Sequence, residues 1–334
     1  MVSDEIAAPA GAASGTPGSV AEHFADRLLR AIEEKGTPLV VGLDPVYSQL
    51  PPGLLQELAL DDPDDSEAVV DGLLEFSRRV IRQVAPVVAA VKLNIACFEP
   101  YLWDGYEAYN SLVQEAAGNG LIVIGDVKRG DVGHTAQQYA QATLANPTFS
   151  GMQDMVNPDA VTVNSYFGSD GIDPFVRAAG ASGKGVFTLV RTSNPSSGQV
   201  QEIIAQDGQP VYMHVAKLVE QWGAPYIGAR GYSLLGAVVG ATHGQQLAAL
   251  RQAMPRTLFL VPGYGAQGGT AADVAGAFKP DGTGAIINAG RSIIFAYNQG
   301  PWKPQNPDDW QQSIAGALGQ ARREIAGVLP RRPA

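Results

Sequence analysis

The sequence predicts an α/β protein, a single (β/α)8 TIM barrel with a disordered N-terminal arm and a helix ahead of it. Two observations carry this. Eight short, β-branched-rich apolar runs recur along the chain with helical or loop segments between them, and each closes on polar or glycine residues. The chain has 334 residues, enough for one barrel of about 250 residues with extensions.

The opening MVSDEIAAPAGAASGTPGSV (1–20) is dominated by Ala, Gly, Ser and Pro, which reads as a disordered arm. It has no Lys or Arg and no long apolar core, so a signal peptide is not expected. Residues 21–330 are expected to form one domain. AEHFADRLLRAIEEKG predicts an amphipathic helix with Phe24, Leu28, Leu29 and Ile32 on one side. The runs follow at 38–45, 88–98, 121–129, 160–168, 185–193, 235–243, 257–265 and 284–292. Their continuous apolar character is that of parallel strands buried on both faces, each followed by a crossover helix. A doubly wound open sheet is the alternative, but eight units close a barrel. The proline-bearing acidic stretch PPGLLQELALDDPDDSEAVV (51–70) reads as a solvated excursion after the first strand.

Bulk composition narrows the function. A net charge of −10 argues against nucleic-acid binding, which needs a basic surface, but leaves room for an anionic small ligand. The single cysteine, Cys97, excludes an internal disulfide and a cysteine-built zinc site, and the four histidines show no metal-ligand spacing. No run of roughly 18 consecutive apolar residues, as a membrane helix needs, occurs. The expectation is a cytoplasmic enzyme with no metal and no membrane partner.

Polar residues gather at the C-terminal ends of the runs: Asp44, Lys92, Asn94, Asp126, Lys128, Asn164, Arg191, Gln267 and Arg291. Barrel active sites lie on that face. The most informative segment is IGDVKRGDVGHTAQQYA (124–140). Asp126 and Lys128 are two apart on a strand, so their side chains share a face. Asp131 follows just past the strand end, and Thr135 lies one helical turn further on. A lysine between two carboxylates is held as a cation. Each opposite charge at about 4 Å is worth roughly 4 kcal/mol at an effective dielectric of 20. Such an ammonium is a poor Schiff-base nucleophile but a good proton donor beside a growing carbanion. The plainer reading is an ion pair with Asp131 as a helix N-cap. Lys92 and Asn94 share a face of the preceding strand and Asp44 ends the first, which suggests an alternating array Asp44–Lys92–Asp126–Lys128–Asp131. Charges at strand ends are tolerable when they neutralise one another, so a purely structural network is the alternative.

The last two units look like a phosphate site. VPGYGAQGGTAADV (261–274) is a glycine-rich turn after a strand, and NAGRSII (288–294) places Gly290 and Arg291 at the next strand end. Such loops bind phosphate through backbone N–H groups, and an arginine adds a bidentate contact. Gly263, Gly265 and Gly268 also spell G-x-G-x-x-G, but a dinucleotide fold wants an acidic residue at the end of the next strand, where Ala289-Gly290-Arg291 stands. RTSNPSSGQ (191–199) offers Ser193 and Asn194 to a polar ring edge and suits a closing lid; a plain turn is the alternative. His134 and His243 read as satisfied surface or core groups. Tyr101, Trp103, Tyr106 and Tyr109 read as packing on the helix after strand two, and Cys97 as a small buried hydrophobe.

Taken in order, GLDP, VKLN, GDVKRGDVGHT, TSNP, PGYGAQGG and NAGRSI resemble the orotidine 5′-phosphate decarboxylase family, in the phrasing of its bacterial type 2 branch, from about residue 37 to 298. The resemblance implies cofactor-free decarboxylation of orotidine 5′-phosphate to UMP by a homodimer with shared active sites. It makes Lys128 the proton donor to C6 and sets Asp126 near the scissile carboxylate. Asp131 and Thr135 would reach in from the partner subunit. Asp44 and Lys92 would hold the ribose hydroxyls with Asn94 nearby, Ser193 would read the pyrimidine, and Gln267, Gly290 and Arg291 would grip the phosphate. The arm, the acidic insert and the long segment after strand five depart from a compact member, which puts lid boundaries and oligomer contacts in question. The rival readings are a Mg²⁺-dependent 3-keto-sugar-phosphate decarboxylase or hexulose-phosphate synthase on the same scaffold, and a non-catalytic phosphate-ligand-binding barrel.

Overall fold

The computed structural model describes residues 22–60, 62–242 and 244–330. The arm expected over residues 1–20 and His243 lie outside the described residues. Helix α1 (Phe24–Lys35) comes first, then β1 (Leu39–Leu43), α2 (Pro52–Leu58), α3 (Ser66–Val84), β2 (Ala90–Asn94) and α4 (Leu102–Gly118). The middle of the chain forms β3 (Ile122–Arg129), α5 (Gly133–Leu144), β4 (Ala160–Val163), α6 (Ser169–Ser182), β5 (Gly185–Arg191), α7 (Gly198–Gln201) and α8 (Val211–Gly223). The last elements are β6 (Leu235–Val239), α9 (Gly244–Ala253), β7 (Phe259–Pro262), α10 (Ala271–Val274), β8 (Ala285–Ala289), α11 (Arg291–Ile294) and α12 (Trp310–Val328).

All eight strands fall inside the predicted runs. They pair in parallel in sequence order, and β8 returns to β1 with Val40 opposite Asn288, so the barrel closes. The two-residue period of each strand divides its side chains. Val41, Leu43, Val91 and Val123 face outward into the shell of helices, while Val40, Ile124, Leu260 and Ile286 fill the interior.

The interior is stoppered by α1. Phe24 is buried and meets Phe187 edge-on, with ring centroids 5.9 Å apart at 82°. Gly185 leaves the space for that ring, since a Cβ there would come within 2.2 Å of Phe24. The helix is capped by the His23 side chain at its start and by Gly36, at φ 65°, at its end. The Asp26 carboxylate accepts the backbone N–H groups of Ala229 and Arg230, at 2.8 Å each, which fastens the helix to the segment before β6.

Two expectations change. The 51–70 stretch is not a solvated excursion throughout: it forms α2, which buries Leu54, and the first turns of α3, which bury Ala68, Val69 and Val70. Pro52 at the first helical position and the Asp65 side-chain cap explain these starts. Of the aromatics after β2, Tyr109 packs inside, but Trp103 and Tyr106 stand exposed.

Phe24→Ala should remove about 3–5 kcal/mol of unfolding free energy, read from urea denaturation. An unchanged midpoint would show that α1 does not belong to the core.

Candidate active site

One cavity of about 470 Å³ opens at the C-terminal ends of the strands. Asp44, Lys92, Asn94, Asp126, Lys128, Ser193, Gln267, Gly290 and Arg291 all line it. They come from β1, β2, β3 and the segments after β5, β7 and β8. Strand register explains the convergence. Gly42 pairs with Lys92 and Asn94 with Asp126, so equivalent inward positions stack around the rim.

The charges form a chain. Lys92 Nζ donates to Asp126 Oδ2 at 2.7 Å and lies 3.6 Å from Asp44 Oδ1. Lys128 Nζ donates to Asp126 Oδ1 at 2.6 Å. The two lysines differ in setting: the Lys92 side chain is 6% exposed and that of Lys128 is 52% exposed. Lys92 is the buried partner of the carboxylate in the cavity wall, whereas the Lys128 amine is open to the cavity. Burial alone would raise the pKa of Asp126, but the Lys92 and Lys128 charges outweigh it and hold the carboxyl well below the usual range. Burial likewise pushes Lys92 down, and Asp126 and Asp44 outweigh it and hold the amine above its ordinary value.

Thr162, on β4, completes this cluster and was missed in the sequence. Its hydroxyl donates to Asp126 Oδ1 at 2.8 Å and accepts the Lys128 backbone N–H at 3.0 Å. Lys128 has φ 42°, an uncommon conformation for a residue other than glycine, and the β3–β4 register slips between Gly125 and Arg129. The threonine thus fixes both the carboxylate and the bent backbone that presents the amine. Its signal was positional: it lies two before Asn164 and shares the inward parity of Lys92 and Asp126.

On the opposite side, Ser193 Oγ donates to Gln267 Oε1 at 2.6 Å, joining the loops after β5 and β7. Gly240 permits this approach, because a Cβ there would lie 2.9 Å from Ser193 Cβ and 3.0 Å from its backbone nitrogen. Tyr264, on the same loop as Gln267, donates its hydroxyl to Glu324 of α12. Cys97 is half-buried and lines the cavity, with its thiol pushed up to about 11 by burial and by the Asp44 charge. It is therefore a wall residue and not the buried hydrophobe expected. Asn288, also unanticipated, forms part of the lining.

Asp131 and Thr135 are not brought to the cavity of their own chain. Asp131 Oδ1 accepts the N–H of Val132 at 2.8 Å, and Thr135 is exposed on α5. Among the described residues Lys128 therefore has one carboxylate partner, Asp126, and not two. The array ends at Lys128 because β3 stops at Arg129 and Asp131 lies in the link between β3 and α5, which begins at Gly133. Asp131 is not the helix cap either, since α5 has Val132 at that position with no side-chain bond. Arg191, expected among the rim charges, is instead fully buried beside the cavity. Among the described residues no group of three His, Cys, Asp or Glu side chains is disposed to hold a metal ion.

Fold and cavity together define a (β/α)8-barrel enzyme whose charged cluster sits at the mouth of the barrel on its first three strands. Comparison with known proteins specifies which. Residues 37–300 match the model of the orotidine 5′-phosphate decarboxylase / HUMPS family, and the chain belongs to that family. An orotidine 5′-phosphate decarboxylase from Rhodopirellula baltica is 38% identical over 307 residues, covering 91% of this chain and 99% of the relative. One from Caldicellulosiruptor bescii is 37% identical over 276 residues, covering 82% and 90%. Among solved structures, a Streptomyces avermitilis protein superposes with a TM-score of 0.75 at 32% identity, covering 95% of this chain and 99% of that one. The Leishmania donovani OMP decarboxylase gives 0.67 at 28% identity, covering 92% and 98%.

Asp126→Asn should destabilise the protein by about 3–5 kcal/mol at pH 7, because it leaves the buried Lys92 charge with only the more distant Asp44 at 3.6 Å. The depressed carboxyl of Asp126 contributes stability that is fully present above about pH 4, where an unfolded carboxyl is already ionised. That contribution fades in acid as the pH falls towards the folded value. The gap between wild type and variant should therefore narrow only in acid; a gap that is constant from pH 7 to 3 in denaturation curves contradicts this.

Proposed function

We propose that this enzyme decarboxylates orotidine 5′-phosphate to UMP, the last step of pyrimidine nucleotide synthesis, without a cofactor. The observation that carries the reading is the Lys128 ammonium. It is held 2.6 Å from Asp126 and open to a cavity whose far side offers Gln267, Gly290 and Arg291. Loss of CO₂ leaves the electron pair of the broken bond on C6, where no adjacent carbonyl delocalises it. A preorganised ammonium stabilises that charge and then donates its proton to C6, and the amine regains a proton from water. Asp126 lies near the scissile carboxylate and fixes the direction of the amine. Asp44 and Lys92, with Asn94 nearby, hold the ribose hydroxyls. Ser193 reads the pyrimidine, and Gln267, Gly290 and Arg291 take the phosphate, whose binding energy can be expressed at the distant reacting carbon.

The active unit in this proposal is a homodimer in the cytoplasm, with Asp131 and Thr135 of the partner subunit completing each site. Support comes from the surface around them. Val132 and Tyr139 on either side of Thr135 are exposed, as are Phe149, Met152 and Val156 just beyond α5. Exposed apolar side chains gathered within residues 132–156 are of the kind that suit a protein interface. No helix among the described residues is long and apolar enough to cross a membrane.

The test is the absorbance of orotidylate incubated with purified protein, with and without EDTA. Turnover should be equal in both. An unchanged spectrum overturns the assignment, and loss of turnover in EDTA points to a metal-dependent relative. Lys128→Ala should abolish turnover while UMP still binds; wild-type rates in that variant would remove Lys128 from the mechanism. Arg291→Ala should mainly weaken UMP binding, by about 1.5–3 kcal/mol, as for the loss of a charge-assisted hydrogen bond.

A further inference from the structure

Arg191 ends β5 with its side chain 1% exposed, the deepest cation near the cavity. A buried guanidinium is tolerated only where its donors are met, and here the partners come almost entirely from the segment that follows it. Nη1 donates to Ser197 Oγ at 2.6 Å and to Gln201 Oε1 at 3.0 Å, and Nη2 donates to the Glu202 carboxylate. Nε donates to Gln246 Oε1 of α9 at 2.8 Å, and the Tyr212 ring of α8 lies 5.6 Å from the guanidinium carbon. Gln201 closes the loop on itself. It accepts the Thr192 N–H at 3.0 Å and donates to Thr192 Oγ1 at 2.7 Å.

The segment from Thr192 to Glu202 is therefore tied at several points to one charge on the rigid barrel. Ser193, two residues beyond that charge, projects into the cavity and bonds Gln267 across it. From this geometry we infer that Arg191 is a positioning residue for substrate recognition: it holds the loop after β5 so that Ser193 meets both Gln267 and the pyrimidine ring. The inference rests on the reading of the cavity as an orotidylate site. Lysine cannot replace the planar fork, because a single ammonium does not reach the Ser197, Glu202 and Gln246 acceptors together.

The test uses Arg191→Lys and Gln201→Leu, each alone and combined with Ser193→Ala. Gln201→Leu cuts the link between Arg191 and Thr192 without stranding the buried charge, so it serves if Arg191→Lys does not fold. Each single variant should raise KM for orotidylate about tenfold with a smaller change in kcat, the size of one lost hydrogen bond of about 1.4 kcal/mol. On the Ser193→Ala background the further rise should shrink to less than about twofold, because coupled residues are not additive. A KM rise of the same size with and without Ser193, or a wild-type KM in the folded variants, overturns the inference. Wild-type turnover of orotidylate in the same assay reports separately on the proposed activity.

Discussion

The pairing of Asp126 with two lysines is the constraint around which this protein is organised. A carboxylate on β3, 8% exposed, is stable there because Lys92 and Lys128 each take one of its oxygens and Thr162 donates to one of them. Lys92 in turn is buried, and is kept charged by Asp126 and Asp44. The two buried members, Asp126 and Lys92, offset each other's desolvation. Of the two amines that line the cavity, that arrangement leaves the one on Lys128 the more open.

The backbone conforms to this requirement. Lys128 adopts φ 42°, a conformation that costs of the order of 1–3 kcal/mol for a side-chain-bearing residue. Thr162 stabilises it by taking the Lys128 N–H on the hydroxyl that also donates to Asp126. Local strain and local charge pairing are thus solved by one residue from the neighbouring strand. The other half of the cavity is built differently. Its polar groups sit on loops, and their positions depend on contacts such as Ser193 with Gln267, Tyr264 with Glu324, and the Arg191 network. The barrel supplies a fixed charge cluster, and the loops supply polar groups held in place by hydrogen bonds to the framework.

The division matches the proposed chemistry. A carbanion stabiliser must already be in place when charge develops, which suits strand ends. Ring and phosphate recognition must admit a ligand and enclose it, which suits loops.

The fold was legible in the sequence because two-faced burial leaves a direct trace: each of the eight strands lies in a continuous apolar run that ends on polar residues. The charge cluster was legible too, since the parity of Asp126 and Lys128 and the parallel register of neighbouring strands fix which side chains share the rim. Residues 51–70 misled because an acidic, proline-bearing stretch can still bury one apolar face, as Leu54 does in α2. Only the tertiary structure could show that Thr162 holds the Lys128 backbone N–H, that Arg191 is buried among the residues of the following loop, and that Asp131 does not line its own cavity. Those outcomes depend on which residues from distant segments arrive within 3 Å of one another. Chain packing decides that, and no local pattern of side chains encodes it.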